Sequence, residues 1–287
     1  MDTQLLEMNS TLLYCLVAVF SLTIGSLLNV VIYRLPQMLK NEWVNECRSL
    51  SGLPAVDIKP VNLFFPRSFC PQCNTQIKAI HNIPVLSYLF LRGKCANCQQ
   101  PVSMRYPLVE LLTCLLSTFA AWHFGFNLTL VYALLFIWLT IPMLFIDLDE
   151  QLLPDCLTLG LLWLGLIANT QSLFTTLPNA VISAAIAYLA LWFFIKLYYL
   201  LTGKIGMGNG DFKLFAAFGA WFGWTQLPLI LLLSSITGAI GGLMYLKLSA
   251  KSNDTPIAFG PFLCVSGLIA LFWGKAIINA YLHFAGL

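Results

Sequence analysis

Residues 206–213 read Gly-Met-Gly-Asn-Gly-Asp-Phe-Lys, and this stretch places three glycines and a carboxylate at the start of an otherwise apolar segment. Glycine permits a positive φ and a close approach of the backbone to another group. A carboxylate at the edge of a hydrocarbon layer is costly and usually has a functional reason to be there. Taken alone, the stretch equally fits a glycine-rich loop whose aspartate caps a helix. A second carboxylate at the same membrane depth would favour a catalytic role for Asp211.

The composition indicates a membrane protein that crosses the bilayer several times. The chain has 287 residues, of which 59% are hydrophobic and 9% are charged, and its mean hydropathy is +0.81. A soluble domain carries about 25% charged residues, so a soluble globular protein is excluded. No basic segment precedes the first apolar run, because the first lysine or arginine is Arg34. This order favours an uncleaved first span over a cleaved signal peptide.

Eight apolar runs are predicted to cross the membrane, because a transmembrane helix needs about 20 apolar residues. They lie near residues 11–33, 107–124, 128–146, 157–173, 178–200, 212–224, 227–246 and 260–283. The run 212–224 is short, so a tilted, broken or re-entrant segment is open there. We therefore expect an all-α polytopic membrane protein in three parts. These are a first span (1–33), a small polar cytoplasmic domain (34–105) and a multi-span domain (106–287).

The distribution of basic residues predicts which side of the membrane each loop faces. With eight spans, one side receives residues 34–105 and the loops near 147–156, 201–213 and 247–259. That side carries thirteen of the fifteen lysines and arginines, and the loops of the opposite side carry none. Because basic loops stay in the cytoplasm, the polar segment is predicted to be cytoplasmic and both termini to lie outside.

Two Cys-x-x-Cys pairs in the polar segment predict a structural zinc site. Cys70 and Cys73 form the first pair, and Cys95 and Cys98 form the second. Four thiolates at this spacing are typical of tetrahedral zinc, and a metal would stabilise a segment too small to bury much core. Disulfides are an alternative that a reducing cytoplasm disfavours, and a redox pair would normally occur singly beside a βαβ pattern. The basic residues nearby fit a membrane-surface patch and are only a weak nucleic-acid signal.

A second carboxylate, Asp147, directly abuts the apolar run 128–146. Three further acids follow at the same predicted membrane edge and are expected to cap helices and face water: Asp149, Glu150 and Asp155. Asp147 and Asp211 lie at equal predicted depth on separate helices, so they can approach each other. In a carboxylate pair that shares one proton, the two ionisations are separated, so that one group acts as a base and the other as an acid. This is the arrangement of an aspartyl protease.

Six short motifs follow one another in order along nearly the whole chain. They are residues 25–36 (GSLLNVVIYRLP), the two cysteine pairs, residues 105–110 (RYPLVE), Asp147 followed by residues 153–155 (LPD), residues 206–214 (GMGNGDFKL) and residues 259–262 (FGPF). Each motif alone is weak, but the six in this order are specific. With them the chain resembles the type IV prepilin peptidases, which are bifunctional leader peptidases and N-methyltransferases.

The resemblance implies that Asp147 and Asp211 are the catalytic pair of a presenilin-like GxGD aspartyl protease formed by residues 106–287. It implies that the substrates are type IV prepilins and the pseudopilins of type II secretion. Their short basic leader would be cut at the cytoplasmic face of the bacterial inner membrane. The new N-terminal residue would then be methylated from S-adenosylmethionine, with residues 34–105 taking part. Relatives occur with and without the four cysteines, so zinc is not expected to be necessary for proteolysis.

The methyltransferase activity rests on the resemblance alone. No Gly-x-Gly-x-x-Gly fingerprint follows a strand, and residues 34–105 are too few for a nucleotide-binding sheet. Glu110, near the cytoplasmic end of its span, either lines the S-adenosylmethionine site or pairs with Arg105 at the interface.

Two rival functions are an ion-coupled transporter and a non-enzymatic scaffold that binds partners through the zinc segment. Transporters usually have internal repeats and sites at mid-membrane. The sequence has no convincing repeat, and its acids lie at the predicted membrane edge, so a transporter is disfavoured. No nucleic-acid partner is expected.

Overall fold

The computed structural model describes residues 2–54, 62–204, 206–249 and 258–286. These residues form nine α-helices: α1 (Asp2–Leu50), α2 (Leu86–Phe90), α3 (Arg105–Phe124), α4 (Leu128–Glu150), α5 (Asp155–Thr170), α6 (Leu177–Thr202), α7 (Asn209–Phe222), α8 (Leu227–Ser249) and α9 (Gly260–Ala285). Two short 3-10 helices (Ala79–Asn82 and Trp224–Gln226) complete them. The predicted all-α polytopic fold is confirmed. Residues 55–61 of the predicted cytoplasmic domain, residue 205 and residues 250–257 of two predicted loops lie outside the described residues.

Each of the eight predicted spans coincides with a helix, but two of these helices are shorter than a bilayer requires. In the described ranges, six helices are long and apolar enough to cross a membrane: α1, α3, α4, α6, α8 and α9. Helix α5 has 16 residues and α7 has 14. At 1.5 Å per residue, α7 is about 21 Å long, whereas the apolar layer is about 30 Å thick. The count of eight spans therefore stays a prediction.

The first compact unit, Met1–Gly125, is built on the pairing of α1 with α3. Gly25 of α1 permits the close approach, since a Cβ there would lie 2.7 Å from the Cα of Glu110. The Nδ2 of Asn29 donates a hydrogen bond to the carbonyl of Tyr106 at 3.0 Å, which ties the same two helices together. Helix α1 does not end near residue 33 as its apolar pattern suggests, but continues through Pro36 to Leu50.

The second compact unit, Phe126–Leu287, is built around α7, which packs against α5, α6 and α9. From Asp211 to Phe222 every residue of this helix is buried except Lys213. The indole of Trp221 donates to the carbonyl of Leu161 in α5 at 2.7 Å. The Nδ2 of Asn169 donates to the carbonyls of Ala220 and Trp221, which would otherwise be free at the helix end. The short span is therefore one unbroken helix held inside the unit.

Candidate active site and metal centre

Helix α4 ends in a turn that buries one acid and exposes the next two. Asp147 is only 5% exposed, whereas Asp149 and Glu150 are exposed. The helix ends at Glu150, and the C-cap residue Gln151 adopts a left-handed conformation and donates its N–H to the carbonyl of Asp147. As expected from its position against the apolar run, Asp147 alone of the three has its carboxyl group inside the unit.

Asp211 lies in the first turn of α7 and is 8% exposed. Its carboxylate interacts with the backbone of Gly208, the N-cap residue, as an acid at the third helical position does in a capping box. The aspartate is therefore not the N-cap residue, but it helps to cap the helix from the third helical position. This capping role does not account for the second oxygen, Oδ1, which is buried and has no hydrogen-bond partner in the described part of the chain.

The glycines before Asp211 are needed for close packing. None of the three takes a positive φ, in contrast to the flexibility that the sequence suggests. A Cβ at Gly210 would lie 2.8 Å from the Cβ of Leu153, the residue that precedes the Pro-Asp pair. Leu153 also touches the start of α9, where a Cβ at Gly260 would lie 3.1 Å from its Cδ1. Leu153 therefore packs between the first turns of α7 and α9.

The two aspartates belong to one site. The charge of Asp147 is close enough to interact with that of Asp211. Both charges also interact with the fully buried thiol of Cys264 in α9. Oδ2 of Asp147, like Oδ1 of Asp211, is buried without a hydrogen-bond partner among the described residues. An unsatisfied buried oxygen costs about 1–3 kcal/mol, so two of them in one place require an explanation such as a bound water or substrate. The arrangement has the acid and base needed for hydrolysis.

Asp155, the third acid of this edge, has a different role that the sequence did not reveal. Its carboxylate forms an ion pair with Nζ of Lys213 at 2.6 Å, which joins the start of α5 to α7. Asp155 is 60% exposed, as its predicted contact with water requires. The two partners are 58 residues apart, and neither neighbouring sequence indicates the pair.

The four paired cysteines converge on one point in the first unit. Their sulfur atoms all lie within 4.8 Å of one another, and no other such group is found among the described residues. The two pairs have the same local fold: the first cysteine donates its N–H to the carbonyl five residues later (Cys70 to Thr75, Cys95 to Gln100). The residue after the second cysteine takes a left-handed conformation in both (Asn74 and Gln99). The sequence therefore builds two equivalent turns that face each other.

The geometry of the cluster fits zinc. Four sulfur atoms about 2.3 Å from a zinc ion are about 3.8 Å from one another in a regular tetrahedron. The Sγ atoms of Cys70 and Cys98 are 3.8 Å apart. Hydrogen bonding from the side chain and the backbone of Thr75 lowers the pKa of the Cys73 thiol to about 6, whereas burial and the neighbouring thiols raise the pKa of Cys98 to about 11. The four thiols therefore share protons, which a metal would displace. The four residues can therefore supply the four ligands of a tetrahedral ion.

Comparison with known proteins identifies the family. Residues 19–124 match the bacterial peptidase A24 N-terminal domain, and residues 133–243 match the type IV leader peptidase family. The chain is 61% identical over 273 residues to a prepilin leader peptidase/N-methyltransferase of Legionella pneumophila, covering 95% of each chain. Proteins with the same name are 51% identical in Pseudomonas aeruginosa, over 92% of each chain, and 46% identical in Neisseria gonorrhoeae, over 88% of each. No solved structure matches the chain.

The matches extend over both compact units and include the aspartates and the cysteines. The six apolar helices and the bacterial relatives together make the chain a bacterial membrane protein. The resemblance inferred from the six motifs is confirmed, and the chain belongs to the type IV leader peptidase family.

Proposed function

We propose that this chain removes the leader peptide of type IV prepilins and then methylates the new N-terminal amine. One observation carries the peptidase half: two buried aspartates on α4 and α7 interact with each other, and each has one oxygen without a partner in the described ranges. Relatives that align over nearly the whole chain bear the name prepilin leader peptidase/N-methyltransferase. No described feature favours a transporter or a scaffold over this function.

Cleavage follows from a carboxylate pair that holds one proton. The ionised aspartate takes a proton from a water molecule, whose oxygen attacks the carbonyl carbon of the scissile peptide. The protonated aspartate donates a hydrogen bond to the carbonyl oxygen and stabilises the negative charge that develops there. Collapse of the tetrahedral intermediate breaks the C–N bond as the leaving nitrogen accepts a proton. The products are the leader with a new carboxylate and the mature pilin with a free amine.

The active site is proposed to face the cytoplasm from the inner membrane. Thirteen of the fifteen lysines and arginines fall on the side that carries Asp147 and Asp211 if eight spans are assumed, and basic loops remain cytoplasmic. A hydrophilic leader stays in the cytoplasm while the following helix enters the bilayer, so its scissile bond lies at this edge. Pseudopilins of type II secretion present the same chemistry and are proposed as further substrates, whereas no nucleic acid is.

Zinc and S-adenosylmethionine are assigned to the N-terminal half of the chain. Cys70, Cys73, Cys95 and Cys98 would hold a zinc ion that stabilises the segment without entering the chemistry. S-adenosylmethionine supplies the methyl group, which passes to the amine and leaves S-adenosylhomocysteine and a proton. We propose three functional parts: a first span (1–33), the zinc-binding and methyltransferase-associated segment (34–105) and the peptidase domain (106–287).

The test uses the full chain purified in detergent, a synthetic prepilin and mass spectrometry. The wild-type protein should shorten the substrate by its leader and, with S-adenosylmethionine present, add one methyl group. Asp147→Asn and Asp211→Asn should each lose cleavage by about 10²–10⁴-fold, because a positioned acid or base contributes that much. Asp149→Asn and Glu150→Gln are the matched controls and should keep substantial activity. Robust cleavage by either of the first two variants would refute the assignment.

A further inference from the structure

A cavity of about 420 Å³ lies within the first unit, between α1, the start of α3 and the cysteine-containing segment. Small-molecule sites have volumes of about 300–1,000 Å³ and combine apolar walls with a few polar groups. The walls here are mixed in this way, and three tyrosines line them (Tyr33, Tyr88 and Tyr106). The cavity is therefore large enough for a nucleoside-sized ligand and has aromatic rings for a base to contact.

A buried acid faces this cavity. Glu110 lines it and is only 8% exposed, although it belongs to an apolar helix. The backbone N–H of Val85 donates to Oε2 of Glu110 at 2.8 Å, and the side chain of Ser26 provides a further hydrogen bond. Both partners are neutral, so they hold the carboxylate in place without balancing its charge. A cationic ligand would supply the opposite charge where water is scarce.

The residue that holds Glu110 is itself strained. Val85 has a φ of 59°, which is a rare conformation for a β-branched side chain. Strain of this kind costs about 1–3 kcal/mol and is concentrated at functional sites. The N–H that fixes the Glu110 carboxylate thus comes from a backbone position that the fold maintains at a cost.

Basic residues complete the chemistry on another part of the wall. Arg34, Lys78 and Lys94 line the cavity, together with the first cysteine of each pair (Cys70 and Cys95). The aromatic ring of Tyr88 is fixed by a hydrogen bond from its hydroxyl to the carbonyl of Val102 at 3.3 Å. The cavity thus offers an anionic group, cationic groups and aromatic surface together, and its wall includes the proposed zinc centre.

We propose that this cavity binds S-adenosylmethionine, with Glu110 providing the negative charge that its sulfonium group requires. The ligand carries a sulfonium and an ammonium cation, a carboxylate and a purine. The acid corresponds to the cations, the lysines to the carboxylate and the tyrosines to the purine. The proposal rests on the methyltransferase half of the proposed function and names its site, which the sequence left open between this role and an interfacial pair with Arg105.

The test compares S-adenosylmethionine with S-adenosylhomocysteine, which lacks the methyl group and the positive charge. Binding of each to the detergent-purified full chain is measured by isothermal titration calorimetry for wild type, Glu110→Gln and Glu46→Gln. Glutamine keeps an oxygen that can accept from Val85 but removes the charge, and Glu46 is an exposed acid on the same unit. We expect Glu110→Gln to weaken S-adenosylmethionine by about tenfold or more, as for a lost charged hydrogen bond, and S-adenosylhomocysteine much less. Glu46→Gln should change neither.

Each outcome decides a different point. An equal loss of both ligands, or no loss, in a Glu110→Gln protein that still cleaves prepilin overturns the role of Glu110. Photo-crosslinking of tritiated S-adenosylmethionine to the wild-type protein tests the cavity without any variant, and label should appear in peptides from residues 26–34 or 68–110. Label confined to residues 126–287 overturns the site. A wild-type chain that cleaves prepilin but binds no S-adenosylmethionine refutes the methyltransferase function itself.

Discussion

Replacing Gly260 with alanine tests whether the position of the Asp147 carboxylate limits cleavage. The added Cβ would lie 2.5 Å from Oδ2 of Asp147, 3.0 Å from its Cγ and 3.1 Å from Cδ1 of Leu153. Ordinary contact begins at 3.4 Å, so the carboxylate or the start of α9 must shift by about 0.9 Å. Gly260 is the first residue of α9, and its backbone forms a hydrogen bond with the Asp147 carboxylate. The added methyl group therefore disturbs this hydrogen bond as well.

The expected loss follows from this displacement. A misplacement of about 1 Å at a reacting group can cost about 10²-fold in rate, so kcat for leader cleavage should fall about 100-fold. KM should change little, because Gly260 lies against Asp147, the proposed catalytic residue, and not against a proposed substrate-binding group. Overpacking costs about 1–3 kcal/mol of stability, so the thermal unfolding of each detergent-purified variant must be measured beside its cleavage rate.

The matched control is Gly160→Ala in α5 of the same unit. Apart from the backbone of its own helical turn and its chain neighbours, no described atom lies within 4 Å of a Cβ at that position, so this variant should cleave at the wild-type rate. Cleavage by Gly260→Ala at the wild-type rate would refute the argument, as would a loss that merely follows the fraction of unfolded protein. Methylation of a pre-cleaved pilin by Gly260→Ala should be preserved, which separates damage at the aspartates from damage to the whole chain.

Three further predictions concern the metal, the independence of the two activities and the core of the second unit. Replacing Cys70 and Cys73 with serine should remove about one zinc ion per chain, measured by plasma mass spectrometry, and an unchanged zinc content would contradict this. The same variant should bind S-adenosylmethionine more weakly, because Cys70 lines the cavity. Asp147→Asn should abolish cleavage yet methylate a pre-cleaved pilin, and loss of both activities in folded protein would mean that the sites are coupled. Trp221→Phe removes the buried hydrogen bond to the Leu161 carbonyl and should lower the free energy of unfolding by about 1–3 kcal/mol. Lys213→Met breaks the exposed ion pair with Asp155 and should lower it by less than about 1 kcal/mol. Equal shifts in the thermal unfolding of the two variants would contradict this difference.

The sequence predicted the helices well because their apolar runs are long, and it predicted their ends poorly. The first apolar run stops at Arg34, yet α1 continues to Leu50. Arg34 is only 6% exposed, and its guanidinium donates to the carbonyls of Asn62 and Pro66. A charged side chain whose hydrogen bonds are made within the protein does not indicate that the helix ends there. Hydropathy cannot reveal the partners, which lie 28 and 32 residues further along the chain.

The sequence names the residues of the candidate site, whereas the residues that support them can be read only from the structure. The cysteines were identified by spacing alone, since a metal imposes that spacing whatever fold surrounds it. The reason for Gly210 was not accessible, because it depends on Leu153, a residue from a different helix connection. Glycine in a motif suggests backbone freedom, but here the missing side chain is what matters.

Helix geometry explains why Asp147 differs from Asp149. At about 100° per residue, two positions on an α-helix separated by two residues point about 200° apart. One aspartate of the Asp-Leu-Asp sequence must therefore face the interior of the second unit if the other faces out, and Asp147 is the buried one. The position of each acid around α4 thus decides that Asp147 is buried, while Asp211 is buried in the first turn of α7. A two-residue change in the register of α4 would leave the proposed catalytic motif intact in sequence and turn Asp147 away from the interior of the second unit.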